Sequence, residues 1–139
     1  MRILAVDPGE KNLGIAVSDP TGTIANPLGT IGHISRPIDA AAIAQLAADY
    51  AVGCIIVGQA LDENNQPTLQ GRRAARLAAA IRQQTDIQVV VWDETGSTVA
   101  ARQARIEINT TRRKRRGHLD ELAATYILQT YLDACSNAG

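Results

Sequence analysis

Four runs of consecutive apolar residues frame the chain: Ile3-Leu-Ala-Val6, Leu13-Gly-Ile-Ala-Val17, Cys54-Ile-Ile-Val57 and Val89-Val-Val-Trp92. None alternates apolar with polar, so each reads as a strand covered on both faces, as in the middle of a sheet. The first run ends in Asp7, and Pro8 and Gly9 break it before the second run returns towards Asp19. Asp19-Pro-Thr-Gly-Thr23 is a further turn signal, with Asp19 as a turn residue. Thr23 to Ile34 reads as a third strand with breaks at Pro27 and Gly29. The short turns between these three strands predict antiparallel neighbours.

The pattern then becomes helical. Pro37 suits the first turn of a helix running to Tyr50, with Ala41, Ile43, Ala44, Leu46 and Ala47 as a narrow apolar face. A helix followed by Cys54–Val57, a strand that stops at Gly58, implies a crossover to a parallel strand. Gln59 to Pro67 is polar and loop-like, and its Asp62 and Glu63 read as solvated carboxylates. Thr68 to Gln84 is a second helix, with Leu69, Leu77, Ala78 and Ile81 on one face and Arg72, Arg73 and Arg76 on the surface. Val89–Trp92 runs into Asp93-Glu94. Ser97 or Thr98 can cap a helix of about Val99 to Ile108, and a last helix runs from about His118 to Ala134. The order predicts an α/β fold: a mixed five-stranded sheet flanked by helices, with strand one central beside the strand ending at Gly58.

A length of 139 residues suits a single domain over 1–139. Aromatics make up 3% and Phe is absent, which excludes wide stacking platforms for single-stranded bases. The formal net charge is zero, so attraction to nucleic acid has to come from a local patch. Arg112-Arg-Lys-Arg-Arg116 is such a patch, although a basic run alone is ordinarily a solvated one. Cys54 and Cys135 form no CxxC pair and read as free thiols in a reducing cytoplasm. No apolar run approaches the ~20 residues that span a bilayer, and the N-terminus lacks a signal-peptide pattern. A cytoplasmic protein with no membrane partner is expected.

Ligand sites of open α/β sheets lie outside the carboxyl ends of parallel strands. Those ends carry Asp7, Gly58 and Asp93-Glu94 here. Asp7 begins a good turn sequence, so its carboxylate is either turn chemistry or a site; the pattern does not choose between Asp93 and Glu94. The last helix adds a third acidic position. At 100° per residue, Ala123, Ala124, Ile127, Leu128 and Tyr131 share one side, and Glu121, Thr125 and Gln129 the other. Asp120 falls within the apolar face. A buried carboxylate needs a partner, either a structural ion pair or cap, or a metal. Converging carboxylates repel one another unless cations sit between them. Hard oxygen donors without a Cys or His cluster favour Mg²⁺ or Mn²⁺ over Zn²⁺. Two such ions activate a water and stabilise the leaving oxygen of a phosphodiester, and the basic run just before Asp120 could hold the phosphate backbone.

Asp7-Pro-Gly-Glu-Lys-Asn-Leu-Gly-Ile-Ala-Val-Ser-Asp19, Val57-Gly58, Asp93-Glu94 and His118-Leu-Asp-Glu-Leu-Ala-Ala-Thr-Tyr-Ile-Leu-Gln-Thr-Tyr-Leu-Asp133 together resemble the YqgF (RuvX) family. These are RNase H-like proteins related to RuvC Holliday-junction resolvases, and the resemblance runs nearly the whole length. It implies an RNase H-like fold, a cytoplasmic bacterial setting and a nuclease processing the 5′ end of pre-16S ribosomal RNA, with junction resolution also proposed. It places the family's acidic residues on Asp7, Glu94 and Asp120. The chain departs from the family where Asn12 replaces a basic residue, where Gly58-Gln59-Ala60 replaces Gly-Leu-Pro, and where Thr95-Gly96-Ser97 replaces Arg, an apolar residue and Thr or Ser.

The leading expectation is a metal-dependent nuclease acting on structured RNA or branched DNA as a monomer or homodimer. Asp7, Glu94 and Asp120 hold Mg²⁺ or Mn²⁺, and Lys11, Arg112, Arg113, Lys114, Arg115 and Arg116 hold phosphates. Two other readings stand beside it. One is a non-catalytic nucleic-acid-binding ribosome-assembly factor, suggested by the altered residues after Glu94. The other is a nucleotide-binding module built on the Asp-x-Gly hairpin.

Overall fold

The structure, a computed structural model, describes residues 1–9, 11–59, 69–93 and 119–138. Five strands and three helices form there: β1 (Ile3–Pro8), β2 (Asn12–Ser18), β3 (Ala25–Gly32), α1 (Arg36–Asp49), β4 (Cys54–Gln59), α2 (Leu69–Arg82), β5 (Gln88–Asp93) and α3 (Leu119–Ala138). The sheet order is β3-β2-β1-β4-β5. β1 pairs antiparallel with β2 and parallel with β4, and β4 pairs parallel with β5. The central place of β1, the antiparallel meander and the parallel crossovers all follow the apolar pattern. The expected helix at 99–108, most of the loop at 59–67 and the basic run at 112–116 lie outside the described residues.

Consecutive apolar residues are explained by cover on both faces. Leu4 and Val6 of β1, with Ile55 and Val57 of β4, pack under α1 and α2. Ile3 and Ala5, with Cys54 and Ile56, pack under α3. The α3 side is built from small residues, among them Ala5, Ala16, Cys54 and Ala124, so the helix lies close to the sheet. Among the described residues no helix is long and apolar enough to cross a membrane.

Three local expectations are corrected. Pro27 and Gly29 do not break β3. They flank a bulge: Ile15 pairs with Gly29 but Ala16 with Pro27, leaving Leu28 without a partner residue. Gly29 takes φ of 151°, open to a residue without Cβ, and an edge strand tolerates proline. On α1, Ala41 is exposed and Ala44 only half-buried, whereas Asp39, Ala40, Ile43 and Ala47 are buried. A helix with alanine on every side gives the period little to lock onto. On α3, Gln129 does not simply face solvent. Its Oε1 accepts from the Ala25 N–H at 3.0 Å and its Nε2 donates to Thr23 O at 3.1 Å, tying the helix to the start of β3.

Asp19 is a turn residue, as the sequence indicates. Its Oδ1 accepts the N–H groups of Thr23 and Ile24, each at 2.8 Å, and its Oδ2 the Thr21 hydroxyl. The Ile24 N–H first, then the Thr21 hydroxyl and the Thr23 N–H, hold its carboxyl well below the usual carboxylate range. It lies at the opposite end of β1 from Asp7, beside Met1, whose ammonium donates to Pro20 O at 3.0 Å.

Candidate active site

β1 ends at the sheet edge where β4 and β5 also end, and Asp7 stands there, half-buried. Strand alternation puts Asp7 on the same face as Ile3 and Ala5, the face that α3 covers. Its cross-strand partner on β2 is Gly14. On the other side, Val6 pairs with Val57, so the next position on β4 is Gly58. The carboxylate therefore has a glycine on each flank, and neither neighbouring strand crowds it with a side chain.

The turn after Asp7 is tight. The Gly9 N–H donates to Asn12 O at 3.0 Å, and a Cβ on Gly9 would stand 2.5 Å from that oxygen, so no larger residue fits. Lys11 is exposed at this turn, and its carbonyl accepts the His33 N–H at 2.8 Å.

α3 is seated over the same edge. A Cβ on Gly58 would lie 2.7 Å from Ile127 Cδ1, so the bare glycine lets Ile127 reach down to β4. Trp92 of β5 donates from Nε1 to Thr130 Oγ1 at 3.1 Å, and its ring meets Tyr131 edge-on with centroids 5.2 Å apart. Asp120 is the second residue of α3. It lies seven residues, about two turns or 10 Å, before Ile127 on the same helical face. Glu94, Arg112, Arg113, Lys114, Arg115, Arg116 and the side chain of Asp120 lie outside the described residues. Asp93 ends β5, paired with Gln59.

The chemistry at this edge suits a hard divalent ion. The donor is a carboxylate whose flanking positions on both neighbouring strands are glycines. Cys54 is at the far end of β4, and burial pushes its thiol up, so it offers no thiolate. Among the described residues no group of three or more His, Cys, Asp or Glu is gathered for a metal.

Sequence reasoning passed over one pair. Asp39, in the first turn of α1, is only 3% exposed. Its Oδ1 accepts the Ile34 N–H at 3.0 Å and its Oδ2 holds His33 Nδ1. The signal was present: Asp39 is four residues before Ile43 on the apolar face, the same phase argument that singled out Asp120. The pair borders an open cleft of about 640 Å³ that also takes in Pro8 and Gly9.

A family model described as "RuvX: Holliday junction resolvase" matches residues 1–134. A protein of Thermoanaerobacter pseudethanolicus named "Putative pre-16S rRNA nuclease" is 40% identical over 138 residues, covering 99% of each chain. One of the same name from Clostridium novyi is 37% identical over 134 residues, 96% of this chain and 99% of the relative. Among solved structures, Thermus thermophilus RuvC in complex with a Holliday junction substrate superposes with a TM-score of 0.61 at 16% identity, over 99% of this chain and 96% of that one. That likeness fixes the fold: the mixed sheet with helices on both faces is RNase H-like.

Proposed function

Since the chain belongs to the RuvX family, we propose that it is a cytoplasmic nuclease that hydrolyses phosphodiesters in structured nucleic acid with divalent metal. The observation that carries this reading is the setting of Asp7: a carboxylate at the carboxyl end of the central strand, flanked by Gly14 and the Gly58 position, on the face where α3 begins. Asp7, Glu94 and Asp120 would hold Mg²⁺ or Mn²⁺. In the sequence Glu94 is the next position in phase with Val90 and Trp92, which face α3. Bound there, paired divalent ions supply an activated water and charge stabilisation for the leaving oxygen. The chain's part is to converge the carboxylates, to keep the sheet around Asp7 free of side chains, and to hold the backbone through Lys11 and the arginines from Arg112 to Arg116 together with Lys114.

The names of the relatives support pre-16S ribosomal RNA as the substrate, and the 5′ end is the part of it that the family resemblance implies. The family description supports branched DNA as the second candidate. Labelled pre-16S RNA and a four-way DNA junction, each offered with Mn²⁺ or Mg²⁺, distinguish the two. Cleavage of either that is lost on chelation and in Asp7→Asn, with the variant's melting curve retained, is the expected result. Undiminished cleavage by pure Asp7→Asn would return Asp7 to turn chemistry. Binding without cleavage of either substrate would favour a ribosome-assembly factor.

A further inference from the structure

The cleft beside the β1–β2 turn is on the α1–α2 side of the sheet, across β1 from the carboxylate of Asp7. Its apolar floor is Pro8, Leu13 and Leu77, and its rim carries His33, Arg36 and Arg73. The volume of about 640 Å³ lies within the range of small-molecule pockets. Arg36 and Arg73 are exposed, and among the described residues neither has an ion pair or a side-chain hydrogen bond. His33 differs from them: Asp39, buried behind it, takes Nδ1 and sets the ring's orientation, leaving Nε2 open. When protonated, that ring donates from Nδ1 to the carboxylate and from Nε2 outward. Asp39 is the acidic lining residue, and it is already engaged by His33 and the Ile34 N–H. Among the described residues, the arginines therefore face no carboxylate that is not already engaged.

We propose that this cleft binds one nucleotide unit, its phosphate on Arg36, Arg73 and His33 and its sugar or base on the Pro8–Leu13–Leu77 floor. Planar guanidinium forks match phosphate oxygens in pairs, and an apolar floor under a charged rim suits a group that is anionic at one end only. The proposal rests on the nuclease reading for its preferred source, a nucleotide of the substrate strand next to the one at Asp7, because the cleft begins at Pro8. A free mononucleotide carries the same chemistry and is the other source.

The test is binding in chelator, so that it does not depend on cleavage. The His33 ring resonances of the intact protein are followed by NMR during titration with inorganic phosphate, with a mononucleotide, and with a non-cleaved structured RNA. Expected for the strand source is a shift of His33 with RNA. The Arg36→Ala/Arg73→Ala variant should then bind RNA on the order of tenfold more weakly, with a log–log salt slope smaller by about one to two, as for one or two lost phosphate contacts. A His33 shift with mononucleotide or phosphate but not with RNA assigns the cleft to a free ligand. No shift with any of the three overturns the site, and so does a His33 shift with RNA whose affinity and salt slope are unchanged in the double variant. Arg36 and Arg73 are exposed, and His33→Gln provides a second variant should the double variant fold poorly. Failure of the nuclease reading shows elsewhere, in cleavage by Asp7→Asn, and leaves this titration interpretable.

Discussion

Gly58→Ala should disturb both the stability and the chemistry of this protein. The new methyl would stand 2.7 Å from Ile127 Cδ1, whereas carbon atoms rest at about 3.5–4.0 Å. Either Ile127 or α3 must retreat by roughly 1 Å. Ile127 is only 2% exposed, so it cannot swing into open space. Overpacking of this kind costs about 1–3 kcal/mol, and replacing a strand glycine by alanine returns about 0.5–1 kcal/mol. A net loss of about 0.5–2 kcal/mol lowers Tm by roughly 2–10 °C. Ile127→Val removes the clashing Cδ1 and costs about 0.5–1.5 kcal/mol alone. If the clash is the cause, the double variant is no less stable than Ile127→Val, and the double-mutant cycle shows a coupling equal to the relieved clash, about 1–3 kcal/mol. Urea denaturation of the four proteins measures it. Because Ile127 seats α3 beneath the turns that carry Asp120, a shift of this size should lower the cleavage rate by on the order of a hundredfold, with partial recovery in the double variant. Additive stabilities, or Gly58→Ala at wild-type stability and rate, would refute the close-approach argument.

The turn at Asp19 makes a pH prediction. Its folded pKa lies below the unfolded value of about 3.9, so its contribution is complete above about pH 4 and is lost as pH falls towards the folded value. Asp19→Asn should flatten the fall in denaturation midpoint between about pH 4 and pH 2, and an unchanged acid limb would contradict the assignment. The thiols make another. Cys135 is exposed, while Cys54 is buried with its thiol pushed up. A thiol reagent should label Cys135 readily in the native protein and Cys54 only on unfolding; rapid native labelling of both would show that α3 does not cover β4 as described.

Much of the architecture was legible because a strand covered on both faces announces itself by unbroken apolar runs. Ile3–Val6 and Cys54–Val57 could hardly be anything but central strands, and the polar turn between β1 and β2 fixed their relation. Signals failed where one residue type serves two purposes. Pro27 and Gly29 resemble a strand end but mark a bulge on an edge strand. The alanines of α1 fit any face, so its phase was misread and buried Asp39 went unnoticed. At the site, Asp7 was legible as the carboxylate where a buried strand meets water. Gly58 was legible only as another strand end at the same edge; that Gly14 lies opposite Asp7 and Gly58 level with it requires the strand registers, which the apolar pattern does not give.

The central claim is that Asp7 and Asp120 belong to one metal site, and melting curves of wild type and Asp120→Asn with and without Mn²⁺, beside a cleavage assay, test it most directly. Without metal the claimed carboxylates repel, so the substitution should leave Tm unchanged or raise it. With Mn²⁺ near a hundred times its Kd, wild type should gain about 2.7 kcal/mol by linkage, and the variant markedly less. Its cleavage rate should fall by roughly a hundredfold or more. A structural ion pair at Asp120 gives the opposite pattern, since breaking one strands its partner and costs about 3–5 kcal/mol. A variant that melts much earlier without metal, gains as much as wild type from Mn²⁺ and cleaves at the wild-type rate would contradict the account.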